Sequence, residues 1–174
     1  MKKWMFGMMM LIVFVSCGDN NREDFDPRRI EIVTGMNLTD ANGIPVEQWG
    51  NPNVPSNVNF SIFPKPAFES IRIRTNSAMQ RIWLIRGVPT QLLFDTDFDQ
   101  VFAETPYQFA DVEAYAFRTI ETPSTTEVDV SLTDITQGYY RVFIELANGS
   151  IIWDNIYVQG SNTVDFIDIN FWDI

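Results

Sequence analysis

The sequence predicts an all-β protein, an antiparallel β-sandwich, on three observations. In residues 131–158, two apolar runs rich in β-branched and aromatic residues flank Asn148-Gly149, a strong hairpin signal. Apolar and polar residues alternate in 58–62, 71–74 and 128–133, the period of strands with one wet face. The 174 residues are 45% hydrophobic and 14% aromatic, enough for one cored domain and far from disorder.

Taken in order, residues 1–16 read as a leader. Met1-Lys2-Lys3 is basic, and an apolar run from Trp4 to Val15 follows, too short to span a bilayer. Residues 17–29 begin with Cys17 and continue through an acidic, polar stretch, a tether. Residues 30–57 form an approach segment. It holds one short strand at 30–33 and then the turn formers Asn42-Gly43-Ile44-Pro45 and Trp49-Gly50-Asn51-Pro52-Asn53-Val54-Pro55. Proline disfavours regular sheet between Pro45 and Pro55, where Trp49 is expected to cap the core.

Residues 58–174 make up the sandwich. Strands are expected at 58–62, 71–74, 81–85 and 92–94. Trp83 should be core, because 81–85 is apolar on both parities. Asp95, Asp97 and Asp99 suggest calcium, but Gln100 and Pro106 stand where an EF-hand needs Gly and Glu, so a solvated acidic loop is expected. Phe109, Val112, Ala116 and Ile120 have near-helical spacing, whereas Glu113, Tyr115, Phe117 and Thr119 fit one face of a strand; the β surroundings favour strand. Residues 123–126 read as a loop. Residues 164–174 read as an extra terminal strand that pairs with a sheet edge, since a free apolar strand invites aggregation.

The absences restrict chemistry more than the motifs do. The chain has no histidine, and Cys17 is its only cysteine. Catalysis would have to rest on carboxylates, Tyr, Ser/Thr or Arg, so a non-catalytic protein with no cofactor and no metal is expected. The net charge is -11. Without the leader, 10 basic residues face 23 acids and the charge is -13, which disfavours nucleic acid as a partner.

Several motifs carry resemblances. Phe14-Val15-Ser16-Cys17 resembles the lipobox of bacterial lipoproteins, with Phe14 in place of the usual Leu. The resemblance implies cleavage before Cys17 and lipidation there, through diacylglyceryl transfer to the thiol and acylation of the new amine by a chain such as palmitate. Membrane attachment through the lipid on Cys17 follows. The acidic residues after Cys17 are similar to the surface-export signal of Bacteroidota lipoproteins. Together these imply an outer-membrane location in the cell envelope, on either side.

Leu132, Gly138 and Tyr140, between one apolar strand and the next, resemble the tyrosine corner of immunoglobulin-like and fibronectin type III sandwiches. That likeness implies a Tyr140 hydroxyl bonded to backbone just upstream. Phe63-Pro64-Lys65-Pro66 and Gly138-Tyr139-Tyr140-Arg141-Val142 are similar to the opening and closing motifs of type IX secretion C-terminal sorting domains. Lys65 replaces the family's Asn, and the chain runs on past Val158. This likeness implies the sandwich fold and not the sorting function.

Hairpin register decides which residues face outward. Pairing through a three-residue Ala147-Asn148-Gly149 loop, with Gly149 left-handed, segregates the faces better than a two-residue turn. It places Tyr140, Val142, Ile144, Ile152 and Ile156 on one face, with Asp154 as the misfit. Tyr139, Arg141, Phe143, Trp153 and Tyr157 share the other, with Glu145 and Asn155. That second face is either a minor core or, if open, a ligand-binding platform for sugars or peptides. The expected function is a membrane-anchored binding or accessory module with an unknown envelope protein as partner; the alternative is a glycan-binding surface protein.

Overall fold

A computed structural model describes residues 26–56, 60–103, 107–160 and 169–172. The leader, Cys17 and most of the tether lie outside the described residues. No helix among those described is long and apolar enough to cross a membrane.

The fold is organised by β5 (Ser70–Arg86), a 17-residue strand that joins two segments expected to be separate. Its first half alternates, with Ile71 and Ile73 buried and Arg72 and Arg74 exposed; its second half, around Trp83, is buried on both faces. Register shifts between Arg74 and Arg81 mark a bulge, the device by which a long strand bends. The first half pairs with β4 (Phe60–Phe63), and the second with β8 (Gly138–Leu146). Along the opposite edge of β5 runs β7 (Arg118–Ser131).

The Asn148-Gly149 hairpin forms between β8 and β9 (Ile151–Val158). It pairs Tyr139 with Tyr157 and Phe143 with Trp153, the three-residue register. Gly149 has φ 81°, which a side chain would resist.

The result is a mixed α/β fold with one open, curled sheet, a half-barrel, in place of the expected immunoglobulin-like or fibronectin type III-like sandwich. A sandwich needs two facing sheets. Here β4, β7 and β8 all bond to the same strand, so the segments that would have made two layers join one ladder. The likeness to type IX sorting domains falls with the sandwich.

Other expectations change for local reasons. Residues 109–115 form helix α2 (Phe109–Tyr115): its near-helical stripe buries Val112, and strand begins only at Arg118. A shorter helix, α1 (Phe98–Val101), is capped by Asp97, whose carboxylate accepts from the Gln100 N–H at 3.2 Å. Residues 92–94 are turn, and 123–126 lie inside β7, with Ser124 at φ 51° absorbing the irregularity. Proline does not prevent sheet at Pro45, which opens an outer strand, β3 (Pro45–Gly50), where no ladder donor is required. The terminal segment is a 3-10 turn at Ile169–Trp172; the rest of the expected strand lies outside the described residues.

Both faces of the curled sheet are covered. The inner face gathers Ile62, Ile71, Ile73, Ile82, Leu84 and Val142 with their neighbours in an almost wholly aliphatic core. Each such side chain contributes roughly 1.5–3 kcal/mol on burial. The outer face is covered by three pieces: the start of the domain, with β1 (Ile32–Val33) pairing in parallel with β6 (Val88–Pro89); the hairpin of β2 (Gly35–Thr39) and β3; and the helical insertion between β6 and β7. The hairpin sits very close to its continuation. A Cβ on Gly35 would lie 2.4 Å from the Trp49 carbonyl oxygen.

Candidate functional site

The aromatic face of the last hairpin, read as either a minor core or an open platform, is a second core. Arg141 and Phe143 are 0% exposed, Trp153 3% and Tyr157 7%. Phe143 and Trp153 stack at 5.8 Å, and Tyr107 stands edge-on to both. Tyr139 is half-buried, edge-on to Tyr157 and Trp172, and its hydroxyl accepts from Trp172 Nε1 at 2.9 Å. With their faces against other rings, these residues present no open surface on which a sugar could stack. The physical reason is the covering insertion, whose Tyr107 and Phe102 complete the aromatic cluster.

Arg141 is the organising group of this core. Its Nη1 donates to the Ile30 carbonyl at 3.0 Å and the Tyr107 hydroxyl at 2.9 Å; Nη2 donates to the Asn53 carbonyl at 3.1 Å. The guanidinium also lies 5.1–5.9 Å from the centroids of Phe143, Tyr107 and Trp153, within cation–π range. Desolvation by burial pushes its pKa below the ordinary value, opposed by Tyr107 and the fields of Glu31 and Asp154. Asn53 sits at the centre of the same network. Its carbonyl also accepts from Trp153 Nε1 at 3.0 Å, its Nδ2 donates to the Ile32 carbonyl, and its Oδ1 accepts from Asn155 Nδ2 at 2.7 Å. Nothing in the local sequence marked Asn53, which sits in a turn-rich stretch.

Tyr140 faces the inner core, and its hydroxyl donates to the Thr136 carbonyl at 2.6 Å, closing the turn before β8.

Among the described residues, a groove of mixed polar and apolar lining opens beside the β2–β3 hairpin. The β2–β3 hairpin forms one side through Asn37 and Gln48, β4 forms the other through Phe60, and Asp154 of β9 reaches it from beneath. It has two adjoining lobes of about 560 Å³ each, which share those four residues. The first lobe extends to the polar Asn51, Ser56, Thr96, Asp97 and Asp99 and to the apolar Pro52, Val54, Pro55 and Phe98; the second extends to Thr39, Glu47, Ser61 and Lys65 and to the apolar Pro45, Val46 and Ile62.

Asp154 is the misfit among the apolar residues of its face, and the structure gives it a partner. Lys65 Nζ donates to Asp154 Oδ2 at 2.5 Å, with both side chains buried, and the Asn155 N–H donates to Oδ1 at 2.8 Å. Lys65 is held by backbone bonds in both directions with Thr39. The carboxylate is thus fixed in position at the groove, and a buried ion pair of this kind carries more positional definition than net stability. Two sequence signals pointed here: the single acid on an apolar face, and the only lysine beyond the leader.

Among the described residues, no group of three or more His, Cys, Asp or Glu side chains is placed to hold a metal ion. Asp97, one of the three acids of the calcium reading, is engaged as a helix cap.

Comparison with protein-family models, curated proteins and solved structures gives no match. Neither the comparisons nor the described residues support the lipoprotein, signal-peptide or outer-membrane assignment, whose residues fall outside the described part of the chain.

Proposed function

We propose that this protein is a non-catalytic binding module for glycans, held in the groove between the β2–β3 hairpin and β4. One observation carries the reading: the amide side chains of Asn37 and Gln48, hydroxyls and the buried, oriented Asp154 converge around a single half-exposed aromatic ring, Phe60. Carboxamides and carboxylates suit adjacent sugar hydroxyls because they offer paired donors and acceptors, while an aromatic ring covers the apolar face of a pyranose. The binding surface therefore differs from the buried aromatic face of the last hairpin, although Asp154 comes from the same strand.

Titration calorimetry against neutral oligosaccharides tests the reading. Binding should weaken at least tenfold in Asn37→Ala and Gln48→Ala, both at the groove wall. Saturable binding unaffected by either substitution would place the site elsewhere.

Attachment of the module to a membrane through an acylated Cys17 is a further part of the proposal, supported by the leader residues alone. Cys17→Ala should shift the protein from the membrane to the soluble fraction; unchanged partitioning overturns the attachment.

A further inference from the structure

We infer that the groove takes a chain of sugar units, one that spans both lobes over Phe60, and that it rejects chains bearing negative charge. The inference rests on the glycan reading and adds the ligand's length and charge class. Each lobe, about 560 Å³, already falls in the volume range typical of a small-molecule site, roughly 300–1,000 Å³. A single sugar would fill part of one lobe and leave the other to water. The residues shared between lobes are the ones suited to the junction of a chain. Phe60 offers a stacking face, Asn37 and Gln48 offer amides from the opposite wall, and Asp154 offers a fixed acceptor.

The charge class follows from the ionisable residues of the two lobes. The first is lined by Asp97, Asp99 and Asp154 and by no basic residue. The second holds Glu47 and Asp154 with one cation, Lys65, which is already paired with Asp154 at 2.5 Å. Neither lobe offers a cation to a uronate or sulfate, and the chain's net charge of -11 adds long-range repulsion. Rejection of anionic ligands is therefore built into the walls, since an unpaired carboxylate brought beside fixed carboxylates loses solvation and gains no partner.

The test is calorimetry on the whole protein with neutral β-1,4- and α-1,4-glucan and β-1,4-mannan oligosaccharides of one to six units, alongside oligogalacturonates of the same lengths. In at least one neutral series, affinity should rise tenfold or more between one and four units, and the oligogalacturonates should bind at least tenfold more weakly. Phe60→Ala should abolish the gain with length. Because Phe60 also touches the inner core, Gln48→Ala, at an exposed position, serves as the second variant and should flatten the same length dependence. A monosaccharide that binds as tightly as the hexamer, or an oligogalacturonate that binds as well as the neutral chain, overturns this inference and leaves glycan binding standing. Failure of every neutral oligosaccharide to bind overturns glycan binding itself.

Discussion

The two faces of the β8–β9 hairpin are built on opposite principles. The inner face, with Val142, Ile144, Ile152 and Ile156, joins an aliphatic core in which shape complementarity is the main source of stability. The outer face buries Arg141, Asn155 and the rings of Phe143, Trp153 and Tyr157, and its stability depends on the hydrogen bonds that Arg141 and Asn155 donate. Both are equally dry. A residue on the first can be exchanged for another of similar volume, whereas Arg141 has no isostere, because its fork serves three oxygens at once.

The comparison can be broken most sharply at Arg141. Arg141→Met keeps most of the volume but strands the Ile30 carbonyl and the Tyr107 hydroxyl, and should cost roughly 3–5 kcal/mol in denaturant unfolding. Arg141→Lys should cost nearly as much, since a single ammonium cannot reproduce the fork. A loss below about 1 kcal/mol in Arg141→Met would show that the outer face is held by packing alone. On the inner face, Ile156→Ala should cost about 3 kcal/mol through the cavity it leaves, while Ile156→Val should cost about 1 kcal/mol. Equal losses for the two substitutions would contradict a volume-governed core.

Lys65 and Asp154 lie where the inner face meets the groove. Lys65→Met alone should cost about 2 kcal/mol by leaving the carboxylate unpaired, and the double variant with Asp154→Leu should recover most of it. A double variant that recovers stability but loses glycan affinity would separate the pair's two roles.

The smallest expected effect is at the wet edge, where Arg72 bonds to Asp129 at 2.7 and 2.9 Å. That contact holds Asp129 below its ordinary value of 3.8, and the backbone N–H groups of Ile44 and Asn42 do the same for Asp40. A depressed carboxylate contributes stability above its unfolded pKa and loses it as pH falls through the lower folded value. Thermal midpoints should therefore fall below pH 3.8, and Asp129→Asn or Asp40→Asn should flatten that acid limb slightly. A limb as steep as that of the unsubstituted protein in both variants would assign the acid response to other carboxylates.

Local signals were legible where the chemistry is local. Asn148-Gly149 specified a turn, and the partition of apolar residues around it specified the three-residue register, because only that register kept the faces apart. Asp154 stood out as an acid on an apolar face. What could not be read is what depends on distant partners. Nothing near residues 70–86 states that three strands share them, and that sharing is why one sheet replaces the sandwich. The outer face was rich enough in rings to serve either as a platform or as a core, and residues more than thirty positions away, Tyr107 and Asn53, decided it. For 109–115, the strand reading gave weight to the surroundings over the residues' own helical spacing, and the spacing prevailed.

The sharing of β5 among β4, β7 and β8 has a consequence for how the molecule opens. Of the strands in this sheet, β4, β7 and β8 each ladder onto β5, and only β9 pairs elsewhere, on β8, so the part centred on β5 should unfold as a unit. Its amide protons are the natural reporters. Those of Ile82, Trp83 and Leu84, flanked by β7 on one side and β8 on the other, should exchange with solvent deuterium only at the rate set by global unfolding. Those of β3, at the edge of its own two-stranded ribbon, should exchange through local fraying many times faster. The groove therefore lies between a two-stranded ribbon and a wall laddered onto the strand expected to exchange most slowly, so its two sides should differ widely in protection.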